Sequence, residues 1–271
     1  MSWYEREARA AATALRECRQ ALAARGSSVI GEATGLGASA ADMADWRHYP
    51  EGEVYDATTH AQYFYHRHPA APRARPAERV EHGHFHLFLR GEGIPAGIAP
   101  LLLPDLAVAN APIAGVPRQS APLQRGSGDE VCHLFAIAVD PRGEPIRLFT
   151  TNRWVTGETW YQADDVIRLL GRFRFASDTP LAPINRWIGA LVCLFRPEIA
   201  GLLRQRDKAV MQRRWRWRTN VLEDPRLEIT SSVDIDLDAR LAAVDATMAE
   251  PAIATGARRT RLPPMAEGWG A

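Results

Sequence analysis

The sequence predicts an α+β fold, a mostly antiparallel β-sheet packed against helices with an additional N-terminal helix. Two observations predict it. Strand-like runs at 62–68, 79–90, 131–140 and 146–151 come first, helical text follows from about 160 to 218, and one late strand (227–237) precedes a last helix. That segregation is the mark of α+β chains. The second observation is a hairpin: Pro141-Arg142-Gly143-Glu144-Pro145 separates two β-rich runs, and so short a loop pairs them antiparallel.

The elements follow in order. Tyr4, Ala8, Ala11, Leu15, Cys18 and Leu22 recur at helical spacing, and Arg25-Gly26 closes that N-terminal helix, so residues 1–26 form the first unit. Gly35, Gly37 and Ser39 mark a loop, and 46–50, aromatic and polar at once, reads as an irregular segment. The 62–68 run is rich in Tyr and Phe and is stopped by Pro69. The longest strand, 79–90, draws its β-formers from Val80, Phe85, Leu87, Phe88 and Leu89.

Residues 91–128 are rich in Pro, Ala and Gly without a sustained period, which fits a lid or an inserted loop. Their apolar patch Leu101-Leu102-Leu103 predicts that part of the segment docks on the body. Val166, Ile167, Leu169 and Leu170 mark a helix over 161–173, and 184–203 continues in that style with a break at Pro197. Asp238 caps the last helix, which runs to about Met248. Residues 1–248 therefore read as one domain, and 249–271 as an extended or disordered tail.

Bulk composition removes several function classes. At 271 residues, 46% hydrophobic and 24% charged, the chain has the make-up of a globular protein able to bury a sizeable core. The net charge of +1 gives no global field toward nucleic acid or an anionic membrane. Three distant cysteines, Cys18, Cys132 and Cys193, have no CxxC spacing and predict free thiols in a reducing compartment. Glu5 and Glu7 stand where a secretory signal needs positive charge, and the apolar stretch 188–195 is far shorter than the ~20 residues of a membrane span. These features predict a cytoplasmic protein without a membrane partner. Motifs of the common serine hydrolases, P-loop and dinucleotide folds and zincin proteases are missing from the sequence.

The most specific signal is the run Glu81-His82-Gly83-His84-Phe85-His86-Leu87-Phe88. In a strand, residues two apart share a face, roughly 6.5–7 Å from one another. This predicts His82, His84 and His86 on one face, with Glu81, Phe85, Leu87 and Leu89 on the other. Two such imidazoles can converge on a metal when a neighbouring strand adds a third, the pattern of three-histidine zinc sites with a position open to water. His133 on the next strand, predicted to face with Val131 and Phe135, is the leading addition, and His66 and His68 on the preceding strand are weaker ones. Gly83 signals a bulge or a close backbone approach, and a bulge would turn His82 away and leave His84 and His86 as the pair. The competing reading is a hydrogen-bonded histidine face with no ion, in which a carboxylate such as Asp56, Asp140 or Glu158 orients the rings.

Two other constellations carry polar chemistry. Thr151, Asn152 and Arg153 leave a strand and together offer a hydroxyl, an amide and a guanidinium to a carboxylate or phosphate. The structural alternative uses Asn152 and Thr156 in turns and Trp154 in the core. Arginines between 204 and 218, interleaved with Trp215 and Trp217, could hold a nucleic-acid backbone. On a helix those tryptophans diverge by about 200°, so a solvated arginine face is expected and nucleic acid is not.

Taken together, Gln62-Tyr63-Phe64-Tyr65-His66, the Glu81–Phe88 run, 148–158 and Asn185-Arg186-Trp187 resemble a family of uncharacterised bacterial proteins catalogued as a domain of unknown function. The resemblance covers roughly 45–245, with 91–128 standing as an insertion, and implies no activity or cofactor. From the residues alone, the expected function is that of a metal-dependent enzyme acting on a small molecule, with zinc or non-haem iron held by His84 and His86 and the site completed by His82 or His133. The alternative is a non-catalytic protein that binds metal, haem or an anion on the same face.

Overall fold

The computed structural model describes residues 3–36, 43–69, 80–101, 103, 130–176, 181–218 and 220–249. Most of the 91–128 segment and the tail from 250 onward lie outside the described residues.

Six strands pair in the order in which they occur: β1 (Tyr49–Tyr55), β2 (Ala61–His66), β3 (Gly83–Arg90), β4 (Val131–Val139), β5 (Pro145–Thr151) and β6 (Ile229–Asp234). Every pairing is antiparallel. The described helices are α1 (Trp3–Ala24), α2 (Val29–Thr34), α3 (Arg153–Thr156), α4 (Ala163–Leu169), α5 (Ala182–Leu194), α6 (Arg196–Trp217) and α7 (Leu237–Ala249). The fold is α+β, as the segregation of strands and helices predicts.

Several elements differ from expectation for local reasons. Residues 49–55 form a strand, although Pro50 and Gly52 weaken its β signal; β1 is the sheet edge, where proline is tolerated. The helix break falls at Phe195, so Pro197 sits in the first turn of α6, where its missing N–H leaves no bond unmade. The strand expected at 79–90 begins only at Gly83.

Alternation gives the sheet two faces. On one, Tyr63, Tyr65, Phe85, Leu87, Leu89, Phe135 and Ile137 are fully buried in the main core, which α1, α2, α4, α5 and α6 complete. The Tyr63 hydroxyl donates to Asn185 Oδ1 of α5 at 2.8 Å, and the Phe85 ring meets Trp187 at 5.7 Å. The other face carries Phe64, His66, His84, His86, Ala136, Ala138 and Phe149.

The pairing of β3 with β4 shifts once. His86 faces Ala136 and Leu87 faces Phe135, but Phe88 then faces His133. The extra residue, Leu134, marks a β-bulge. It moves His133 onto the face of His86 and Phe88, opposite Phe135, correcting the expectation that His133 and Phe135 point together.

Glycine at the start of β3 is a steric requirement. A Cβ at Gly83 would lie 2.5 Å from the His66 carbonyl oxygen and 2.5 Å from Tyr65 Oη, because the Tyr65 ring crosses the backbone there. We predict that Gly83→Ala costs about 1–3 kcal/mol, read in urea as a lower midpoint with an unchanged slope. Gly97→Ala, where nothing lies within 4 Å, is the control. Equal midpoints for the two variants would show that no crowding exists at Gly83.

Candidate metal centre

The β2–β3 register places His66 directly opposite His84, and their Nε2 atoms approach to 2.7 Å. His68, just past the end of β2, stands 5.0 Å ring to ring from His84 and 4.9 Å from His66. One ring nitrogen from each of these three residues lies within 4.8 Å of the others. The exposed Trp46 stacks on His68 at 4.1 Å and walls that side of the group.

Glu81 orients the group. Its Oε1 accepts from His84 Nδ1 at 2.6 Å, which turns His84 Nε2 toward His66, and its other oxygen pairs with Arg147. Burial pushes the Glu81 carboxyl up, but the His84 bond and the Arg147 charge outweigh it and hold the group below its ordinary value. This corrects the placement of Glu81 on the core face. Residues 81 and 82 precede the strand, so its alternation does not reach them. His82 departs for the same reason: its Nδ1 is 2.6 Å from Tyr65 Oη, and its ring stacks on Tyr65 away from His66 and His84.

A second, deeper histidine pair adjoins the first. His86 lies 4.8 Å from His84 and 5.2 Å from His66, ring to ring, and its Nδ1 meets His133 Nε2 at 3.0 Å. Behind His133 stand Thr151 Oγ1 at 3.3 Å and Glu158, whose Oε2 accepts from the His133 amide at 3.0 Å. Burial and the Arg206 charge pull His133 down to about 3, while burial pushes Glu158 up to about 8 against Arg206. Although the side chains approach to 3.9 Å, both are therefore uncharged at neutral pH and are not an ion pair. Burial, then the neighbouring imidazoles, likewise pull His66 down to about 2 and His86 well below its ordinary value.

The polar turn after β5 does not converge on a ligand. Thr151 serves His133, Asn152 is fully buried and bonded to the Val221 carbonyl and the Arg153 amide, and Arg153 pairs with Glu223 at 3.0 Å. Trp154 is 37% exposed and donates to the Leu227 carbonyl instead of filling the core. Along α6 the arginines are only partly a solvated face: Arg206 and Arg214 are buried, and Arg204 and Arg213 pair with Asp164 and Asp224. Of the carboxylates offered by sequence, Asp56 caps the turn before β2 and Asp140 the β4–β5 hairpin. Only Glu158 reaches a histidine of this face.

A cleft of about 270 Å³ runs along the histidine face. His66 and His86 line one end, Phe64 and Phe88 its floor, and Gln62 and Arg90 the other end. His48 borders it, stacked on Phe64 at 3.6 Å. No site role for His48, Gln62 or Arg90 was expected from the sequence, and Glu81 was expected on the opposite face. Parity with Phe64 and His66 could have found Gln62, and parity with His84 and His86 could have found Arg90.

Residues 9–235 match the family described as Domain of unknown function (DUF6969), and the chain belongs to that family. The match reaches into α1, further toward the N-terminus than the resemblance read from motifs. No curated protein and no solved structure matches the chain. Among the described residues, no helix is long and apolar enough to cross a membrane.

The buried acid gives a pH signature. Between its ordinary value and about 8, Glu158 holds a proton in the folded state that the unfolded chain releases, so its contribution to stability falls as pH rises through that window. The buried histidines act in the opposite sense, mainly below about 7.5, where unfolded imidazole begins to take up protons. From pH 6.5 to 8 the Glu158 contribution alone should fall by roughly 1.5–2 kcal/mol, offset in part by the histidines near the low end of that range. Glu158→Gln, uncharged at every pH, should flatten that slope in denaturation measured across the range. A slope retained in the variant would mean that Glu158 is ionised at neutral pH.

Proposed function

We propose that this protein is a metal-dependent enzyme acting on a small molecule, with His66, His68 and His84 as the metal ligands. The observation that carries the reading is the convergence of three ring nitrogens within 4.8 Å beside a cleft that His66 itself lines. The donor chemistry fits zinc or non-haem iron, for which neutral imidazole is a suitable ligand. Burial already keeps His66 unprotonated, and Glu81 supplies the outer carboxylate that fixes the ring and tautomer of a metal-ligating histidine. This ligand set replaces the one expected from sequence. His82 is engaged by Tyr65, and His86 and His133 bond to each other one layer deeper.

Bound there, the ion would supply Lewis acidity toward an oxygen of its fourth ligand. The chain's own residues do the rest. Glu81 and Arg147 hold His84, Phe64 and Phe88 exclude water from the floor of the cleft, and His86 presents an imidazole edge beside the ligand group. A three-histidine set that opens on a cleft favours catalysis over a carrier or structural role, which would close the site with a fourth protein ligand.

Purified protein should carry close to one equivalent of zinc or iron by elemental analysis. The double variant His66→Ala/His84→Ala should carry none, whereas His82→Ala and His133→Ala should keep it. Glu81→Gln should weaken the metal by about 10–100-fold, as loss of an outer-shell carboxylate does. Cobalt(II)-substituted protein tests the open position: its visible absorption should shift on adding azide. Metal-free protein that takes up none of zinc, iron, manganese or copper would sink the reading, and an azide-insensitive cobalt spectrum would replace the enzyme with a closed site.

A further inference from the structure

The end of the cleft away from the histidines holds Arg90, which makes no direct ion pair among the described residues, although its charge acts on the nearby Glu53. Arg90 Nε donates to Gln62 Oε1 at 2.5 Å, and the Gln62 amide donates in turn to Glu53 Oε2. The other oxygen of Glu53 is taken by His48 Nδ1 at 2.9 Å. Both carboxylate oxygens are thereby occupied, and the Arg90 guanidinium is held by its inner edge. Its two outer nitrogens have no hydrogen-bond or ion-pair partner among the described residues. Other partly buried arginines do find carboxylates: Arg19 binds Glu144 and Asp238, Arg147 binds Glu81, and Arg206 binds Asp207.

A guanidinium fixed at Nε presents two parallel N–H groups to whatever enters, the geometry that matches a carboxylate bidentately. The field around it limits the charge that fits. Glu53 lies on the same rim, and Glu92 borders the adjoining outer cavity of about 660 Å³ that shares Arg90, Gln62 and Glu53. Two carboxylates beside one cation oppose a dianionic phosphate more strongly than a monoanion, so the directional fork of Arg90, not the net field, would have to hold a single carboxylate. Between this end and the histidines the walls are apolar, with Phe88 and Phe64 stacked at 5.6 Å and Val131 and Val155 alongside. Arg90 and His86 are four residues apart on one strand, a separation of about 13 Å.

We propose that Arg90 anchors the carboxylate of a small organic monocarboxylic acid whose apolar segment lies over Phe88 and Phe64 and whose far end reaches the histidine group. The class of substrate rests on the metal reading for its reacting end. The anchoring contact stands on the cleft alone.

The test uses the full chain, metal-loaded, titrated calorimetrically with hexanoate, octanoate and 4-phenylbutyrate, and with hexanamide and inorganic phosphate as controls. At least one monocarboxylate should bind saturably at one site, with hexanamide and phosphate ten-fold weaker or undetectable. Arg90→Gln should weaken that binding at least ten-fold while leaving metal content unchanged. Arg90→Lys, which keeps the charge and loses the fork, should fall between, and it stands in if Arg90→Gln does not fold. The His66→Ala/His84→Ala variant separates the two ideas, since carboxylate binding that persists there supports the anchor even if no metal is ever found. The anchor is overturned if no monocarboxylate binds the folded protein, if hexanamide or phosphate binds as tightly, or if binding is indifferent to both Arg90 substitutions.

Discussion

The antiparallel pairing of β2 with β3 sets His66 opposite His84 and Phe64 opposite His86, and the whole histidine face hangs on that register. Side chains alternate with a period of two, so a slip of one residue would send the imidazoles into the helix-packed core and bring Tyr65 and Phe85 out. The apolar partners on the opposite face prevent it. Tyr63, Tyr65, Phe85, Leu87 and Leu89 are all fully buried, each holding about 1.5–3 kcal/mol of burial that a slip would forfeit. The hydrophobic face thus fixes the polar one.

Crowding several imidazoles onto one buried face is tolerable only if they are uncharged. Burial removes the charge: His66, His86 and His133 are all drawn far below the ordinary histidine range. The neutral His86 and His133 rings then satisfy one another, one donating and one accepting, and the neutral His66 bonds to His84. The same neutrality leaves a ring lone pair available to a metal ion. The hydrogen-bonded histidine face and the proposed metal centre therefore draw on one arrangement of side chains.

Two carboxylates at the ends of this face follow opposite rules. Glu81, partly buried at the chain's entry to β3, has Arg147 against it and stays ionised, which makes it a strong acceptor for His84. Glu158 sits behind His133 with no arginine or lysine in ion-pair contact among the described residues, and burial keeps its proton on. Between them the β-bulge at Leu134 brings His133 to the histidine face, which regular pairing would have denied it.

Much of the architecture was legible in the amino-acid sequence. Turn residues between β-rich runs announced the β4–β5 hairpin, segregated strands and helices announced the α+β class, and the alternation of His84 with His86 marked the histidine face. Those signals are local, because propensity and period are set by neighbours in the chain. Other features were decided only by tertiary structure. The strand begins at Gly83 because the Tyr65 ring crosses it, so His82 turns to Tyr65 and Glu81 turns to His84, against the parity of the text. His133 changes face at a bulge whose position depends on how two strands pair. His68 joins His66 and His84 beyond the end of β2, and Arg90 meets Gln62 across two strands. Each of these depends on contacts between residues distant in the chain, which a period read along one strand does not contain.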